Sequence, residues 1–233
     1  MKNFSKQYIK NLYDVDGFIL KSKSPSCGIK DVKVYHKNGQ CSLYGGSNGF
    51  FAEEVINSYN HLPIENEGRL KNYAIRDEFF TKLFMINNFK NDKTKIKDFH
   101  EKNSLLLKMY NINKFYELDS LANSNFNTEK EINEYQEKLY NILQCNRNPK
   151  NNISILLDIY NKYEKNLSIK EKEIFVDNIV KYSKGKLHLN TLLTTIRIYA
   201  ARFEDEYILG QTLFSPYPEN LIDISDSGKR INL

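Results

Sequence analysis

GFILKSKSPSCG, residues 17–28, joins a short apolar run to a Ser-Pro-Ser-Cys-Gly turn that carries one thiol. Phe18, Ile19 and Leu20 predict a buried β-strand, because a brief β-branched and aromatic run bounded by Gly17 and a Ser/Pro cluster is too short for a helix. Pro25 fixes its own φ and biases Ser24 towards extended backbone, while Gly28 can take φ > 0. The turn should therefore hold Ser24, Ser26 and Cys27 at the carboxyl edge of the strand. Residues 32–35, VKVY, predict a second strand. Upstream, Phe4, Tyr8, Ile9 and Leu12 recur at spacings of three and four, the pattern of a short amphipathic helix over residues 3–14. Helix, strand, turn and strand make half of an α/β unit.

Downstream the signals change. Asn38-Gly39 marks a turn, the glycine-rich residues 45–49 read as a flexible link, and residues 50–59 predict a helix with Phe51, Val55 and Ile56 inward. Residues 61–70 read as a hinge, and a domain boundary is expected there. Beyond it lie helices and almost no strand signal: residues 70–87 with Phe79, Phe80, Leu83 and Phe84 as a stripe, then 93–110, 114–123, 129–145, 152–163, 169–183 and 191–213. Thr128 with Glu131 and Ser168 with Glu171 have the capping-box spacing that satisfies free amides at a helix start. About seven helices make a bundle-like domain. Residues 215–218, SPYP, stop the last helix, and the remainder reads as a docked tail. The expected class is α+β, mostly α: a small α/β remnant over residues 1–60 and an all-α domain over 61–233.

Several of these stretches carry a resemblance. GFILKSKSPSCG followed by VKVY resembles the second half of the thiouracil desulfidase (TudS-like) domain, an α/β domain with a four-iron four-sulfur cluster. FFAEEV, LPIENEGRL, Ile75-Arg76-Asp77-Glu78-Phe79, Phe99-His100, Glu171-Lys172 and QTLFSPYP (residues 211–218) resemble the YbgA-like helical domain of unknown function. The related fusions join the two in this order and are associated with removing sulfur from 4-thiouridine in tRNA. The likeness spans nearly all of residues 15–221.

The resemblance implies roles residue by residue. Cys27 matches the third cluster cysteine, and Ser24 matches the serine that assists attack or proton transfer at the base. The family's first two cysteines precede the strand, so a partner polypeptide carrying that half is expected to complete a split site. The alternative is a non-catalytic binding or scaffold protein with a vestigial SPSCG loop. In the helical domain Arg69, Arg76, His100, Asn152, Lys172, Tyr182 and Gln211 match the family. Each admits two readings, a structural ion pair or cap, or a contact to RNA, since Arg and Lys serve both purposes. Ser104 and Tyr110 stand where relatives show Lys and His.

Composition narrows the classes further. The net charge is +5, and residues 1–100 hold 16 basic against 11 acidic side chains. Such a surface can meet phosphates or simply solvate the protein. Arg69, Arg76 and His100, and the Lys181, Lys184, Lys186 cluster, are the candidates for tRNA. Three cysteines, at 27, 41 and 145, are odd in number and widely spaced, which fits neither a disulfide framework nor a zinc pattern. Cys145 follows an apolar helical face, where a thiol usually packs. No run approaches the ~18 apolar residues that span a bilayer, and no apolar leader is expected, which implies a cytoplasmic location. The glycine-rich 45–49 stretch lacks the Lys-Ser/Thr of a phosphate loop.

Overall fold

The computed structural model describes residues 2–36, 39, 46–123 and 128–223. Packing divides the chain into two compact units, residues Met1–Lys90 with Tyr217–Leu233, and residues Asn91–Pro216.

The N-terminal unit is built on a β-α-β crossover. Helix α1 (Lys2–Lys10) leads to strand β1 (Phe18–Leu20), helix α2 (Phe50–Ser58) and strand β2 (Ile64–Asn66). β1 and β2 pair in parallel, with Phe18 opposite Ile64 and Leu20 opposite Asn66. Parallel neighbours cannot be joined by a tight turn, and α2 supplies the crossover. Ala52 and Val55 of α2 are wholly buried. Tyr59, at the end of α2, lays its ring 5.1 Å from that of Phe18 and donates its hydroxyl to the carbonyl of Leu12 at 3.1 Å. The same hydroxyl lies 3.4 Å from the Ile9 carbonyl of α1, so one side chain ties α1, β1 and α2 together. Helix α3 (Tyr73–Asn91) buries Ile75, Phe79, Met85, Ile86 and Phe89. Tyr217 packs on it, with rings 5.6 Å from Phe80 and 6.4 Å from Phe84 and a 2.8 Å hydroxyl bond to Asp77.

Two expectations for this unit need correction. Residues 32–35 form no named strand: Val32 makes an isolated bridge, antiparallel to Ser47, and Tyr35 is an isolated bridge residue as well. The second strand is β2, inside the stretch that reads as a hinge. Ile-Glu-Asn has neither length nor alternation to announce a strand, and pairing with β1 imposes it. In α1 the buried residues are Ser5 and Ile9, whereas Phe4 is 70% and Tyr8 51% exposed. Those two rings stack on each other at 6.2 Å instead.

The helical unit follows the sequence closely. Its helices are α4 (Ile96–Tyr110), α5 (Ile112–Ala122), α6 (Glu129–Leu143), α7 (Pro149–Tyr163), α8 (Ile169–Ser183) and α9 (Leu189–Arg202). With α3 they make the seven long helices that the periodicity predicts. Tyr110, Tyr135, Leu139, Leu156 and Phe175 are almost fully buried. Burying a side chain of the size of Leu139 stabilises by roughly 1.5–3 kcal/mol. The predicted 191–213 helix is broken: α9 ends at Arg202, Glu204 takes φ 54°, and Asp205 caps a short α10 (Glu206–Leu209). Asp205 also accepts from Lys162 at 2.7 Å and Tyr163 at 2.8 Å, so its place is set by α7.

Both predicted capping boxes are present. Thr128 and Ser168 accept from the amides of Glu131 and Glu171, and each glutamate reaches back to the cap amide. Ser168→Ala should therefore cost about 1 kcal/mol, within the usual 0.5–2 kcal/mol for a lost cap. Urea unfolding would measure it, and a midpoint equal to that of the wild type would show that the cap carries no net stability.

Candidate functional site

The carboxyl ends of β1 and β2 lie side by side, and two loops leave there. Residues 21–31 follow β1, and residues 67–71 follow β2. In parallel sheets this end is where ligand sites are built.

The first loop is closed on itself and on α2. Ser24 Oγ accepts from the amides of Ser26 at 3.3 Å and Cys27 at 3.2 Å, and the Ser24 carbonyl accepts from Gly28 at 2.8 Å. The hydroxyl proton of Ser24 remains as its donor. Cys27 is half-buried, with Sγ 3.7 Å from Ser26 Oγ. The carbonyl of Pro25 accepts from the Phe50 amide at 3.2 Å, and that of Ser26 accepts from Phe51 at 2.8 Å and Ala52 at 3.1 Å. Helix α2 has no side-chain cap at Gly49, so the thiol loop itself satisfies its first amides.

That junction explains the glycine-rich stretch. A Cβ on Gly49 would sit 2.3 Å from the Ser26 carbonyl, and one on Gly28 would sit 2.5 Å from Asp31 and Val32. Gly49 N–H donates to the Gly28 carbonyl at 2.8 Å, and Asn48 Oδ1 accepts from the Lys30 amide at 2.9 Å. Residues 46–49 are therefore part of the site, not the flexible link that their composition suggests. The Asn38 and Gly45 readings fall outside the described residues.

Carboxylates brace both loops. Glu67 accepts from Lys21 Nζ and the Ser22 amide, each at 2.7 Å, and from Ser22 Oγ at 3.0 Å. The lysine and the amide together hold its pKa down to about 2. Asp31 Oδ2 accepts from the Lys23 amide at 2.9 Å, while Oδ1 is buried without a hydrogen-bond partner among the described residues. Neither acid stands out in the sequence. Only the folded loop shows which carboxylate meets which amide.

Of the predicted site residues, Ser24 and Cys27 share one loop. Arg69 sits at the same end of the sheet, with Nε 2.9 Å from both oxygens of Glu65. Arg76 donates to the carbonyls of Leu70, at 2.6 Å, and of Asp223. In the helical unit, Lys181 is in the last turn of α8 and pairs with Asp177 at 2.6 Å, and Lys184 and Lys186 follow as exposed residues. Gly185 between them has φ 66°. The three lysines share one helix end, where the dipole favours cations.

His100 is 5% exposed, with Nδ1 3.0 Å from Tyr135 Oη and Nε2 3.1 Å from Asp119 Oδ1. Burial lowers its pKa, and the Asp119 carboxylate works in the opposite direction. Of the other family matches, Asn152 donates to Tyr182 Oη at 2.6 Å, and Gln211 accepts from the Leu105 amide at 3.2 Å.

A cluster held through three thiolates needs three cysteines in one site. The loop offers Cys27, Cys41 lies outside the described residues, and Cys145 is in the helical unit, where its thiol meets the Asn141 carbonyl at 3.8 Å. Among the described residues no group of three or more His, Cys, Asp or Glu is placed to hold a metal ion. These residues do not fit such a cluster by themselves.

The fold and this loop define a mostly α protein whose small parallel β-α-β element presents a thiol turn at its carboxyl end. Comparison with known protein families matches two segments of the chain. Residues 1–67 match the model described as 2-thiouracil desulfurase, and residues 104–218 match the one described as a protein of unknown function, DUF1722, which is YbgA-like. The chain thus carries a desulfurase-like segment followed by a DUF1722 region, in the order that its motifs imply. No curated protein and no solved structure matches it. No helix among the described residues is long and apolar enough to cross a membrane.

The Glu67 brace gives a pH signature. Its folded pKa is depressed from 4.5 to about 2, so its contribution is present above about 4.5 and is lost as pH falls towards 2. Glu67→Gln should lower the unfolding midpoint at pH 7, with the gap to wild type closing near pH 2. A gap that persists at pH 2 would assign the loss to packing, not charge.

Proposed function

We propose that this protein is a tRNA-associated module of a 4-thiouridine or thiouracil desulfidase, with an iron–sulfur site completed by a partner polypeptide. The observation that carries the reading is the 24–27 loop within the desulfurase-like segment: a serine and a cysteine held at the carboxyl end of a parallel strand and braced by α2. In this proposal Cys27 supplies one thiolate and the partner supplies the others. When bound, such a cluster would offer an iron that accepts the sulfur of a thiocarbonyl. This chain's own residues would position and protonate. The Ser24 hydroxyl would face the base, and its two amide contacts fix the oxygen.

The tRNA part of the proposal rests on charge. Lys181, Lys184 and Lys186 form one basic helix end, and Arg69 stands beside the thiol loop. Arg76 and His100 enter as groups that hold their own units in shape, since their donors and ring nitrogens are engaged internally. Cytoplasmic tRNA would be the setting.

Two experiments test the reading. Cys27→Ala should abolish iron and acid-labile sulfide in a reconstituted pair while leaving the circular dichroism of the chain intact, and unchanged iron content would remove Cys27 as a ligand. Replacing Lys181, Lys184 and Lys186 by Gln should weaken tRNA binding and flatten its salt dependence, by a slope of about 0.7–0.9 for each phosphate that the protein no longer neutralises. A slope equal to that of the wild type would take the three lysines out of the interface and favour a binding or scaffold role elsewhere on the chain.

A further inference from the structure

The sheet of the N-terminal unit is open on one edge. The Phe18 amide donates to the Pro63 carbonyl at 2.9 Å, and the Leu20 carbonyl accepts from the Glu67 amide at 3.2 Å. In a parallel ladder alternate residues direct both backbone groups to the same neighbour, so the amide and carbonyl of Ile19 point away from β2. Among the described residues the sheet has two strands, and none lies on that side of β1.

One face of β1 is bare as well. Phe18 and Leu20 share a face, with Phe18 against Tyr59 and Leu20 7% exposed. Ile19 projects to the opposite face and is 57% exposed. Parallel strands are normally covered on both faces, and sheets that stand alone have three or more strands. An edge with an unused backbone pair and an uncovered Ile specifies what fits it: a strand that continues the ladder, joined to a helix that covers Ile19.

We propose that the β1 edge is the docking surface for the partner polypeptide, which adds a strand parallel to β1 and a helix over Ile19. Parallel pairing is the arrangement that brings the carboxyl end of the added strand to the carboxyl end of β1. The turn after it would then stand one strand spacing, about 4.8 Å, from the 24–27 loop, so thiols on that turn reach the neighbourhood of Cys27. Antiparallel pairing would carry them to the far end. The inference rests on the desulfidase reading for the identity of the partner, while the open edge and the bare Ile19 stand without it.

The test uses the full chain and, as probe, a purified polypeptide comprising the part of a 2-thiouracil desulfurase domain that precedes the counterpart of Phe18. The two are mixed anaerobically, and amide exchange and iron content are read on the same sample. Exchange at Ile19 should slow at least tenfold. Ile19→Lys should weaken binding at least tenfold with an unchanged melting temperature, because the side chain is exposed in the free chain, and Ile19→Val should bind as wild type. Unaltered exchange at Ile19, wild-type binding by Ile19→Lys, or no binding of the probe would each overturn the surface. So would protection of Ile19 that grows with the concentration of the chain alone, which would make a second copy the occupant. Iron held by the pair with Ile19 still exchanging freely would overturn the surface and leave the desulfidase reading standing. Ile19 protection without iron after reconstitution would support the surface and sink that reading.

Discussion

The N-terminal unit depends on how the first amides of α2 are satisfied. A helix start exposes four N–H groups, and here the carbonyls of Pro25 and Ser26 take those of Phe50, Phe51 and Ala52 in place of a side-chain cap. The cap and the thiol loop are therefore one object. Helix α2 cannot begin at Phe50 unless residues 24–27 are folded, and the loop cannot hold Cys27 in place unless α2 is formed. Gly49 is the contact point, because any Cβ there would strike the Ser26 carbonyl. Such reciprocity fixes a thiol and a hydroxyl without drawing on a helix or strand residue for either.

The same pattern runs through the rest of the site. Glu67 spans from β2 to the start of the 21–31 loop, and Asp31 closes the loop's far end on the Lys23 amide. Lys23 and Lys30 both adopt positive φ, at 58° and 55°, a conformation that side chains resist. The Asp31 carboxylate on the Lys23 amide and the Asn48 amide oxygen on the Lys30 amide offset that cost locally. The loop is thus held by charge-assisted bonds from both flanks, which are about twice as strong as neutral ones.

How much of this the sequence discloses depends on how local the cause is. β1 and its turn are legible because Gly17, Pro25 and Gly28 punctuate a three-residue apolar run. The bounds of α6 and α8 are legible because Thr128, Glu131, Ser168 and Glu171 carry their own hydrogen-bond logic. β2 is not, since Ile64, Glu65 and Asn66 become a strand only by pairing with a partner 46 residues away. The break after Arg202 is also silent: no Gly or Pro marks it, and Asp205 is drawn off the helical path by Lys162 and Tyr163 of α7. The Ser24 and Cys27 pair could be named from the motif. The Glu67 and Asp31 braces and the Gly49 contact are long-range and required the fold.

The helical unit shows why matching a motif residue does not assign it a surface. His100 is sandwiched in α4 against the Phe115 ring at 5.2 Å and tied to Tyr135 and Asp119. Burial pushes its pKa down and that of the Tyr135 phenol up, so both are neutral at physiological pH and their hydrogen bond costs no buried charge. A ring held in this way positions three helices; it has no nitrogen left for a phosphate. The lysines at the end of α8 are the opposite case. Lys181 is paired with Asp177, but Lys184 and Lys186 lie past the last turn, exposed, where the helix dipole already stabilises positive charge. The backbone there carries about half a negative charge, which stabilises the lysines but does not itself attract an anion, so whatever anion this unit meets is drawn by the side chains; Gly185, at φ 66°, turns the chain between two of them.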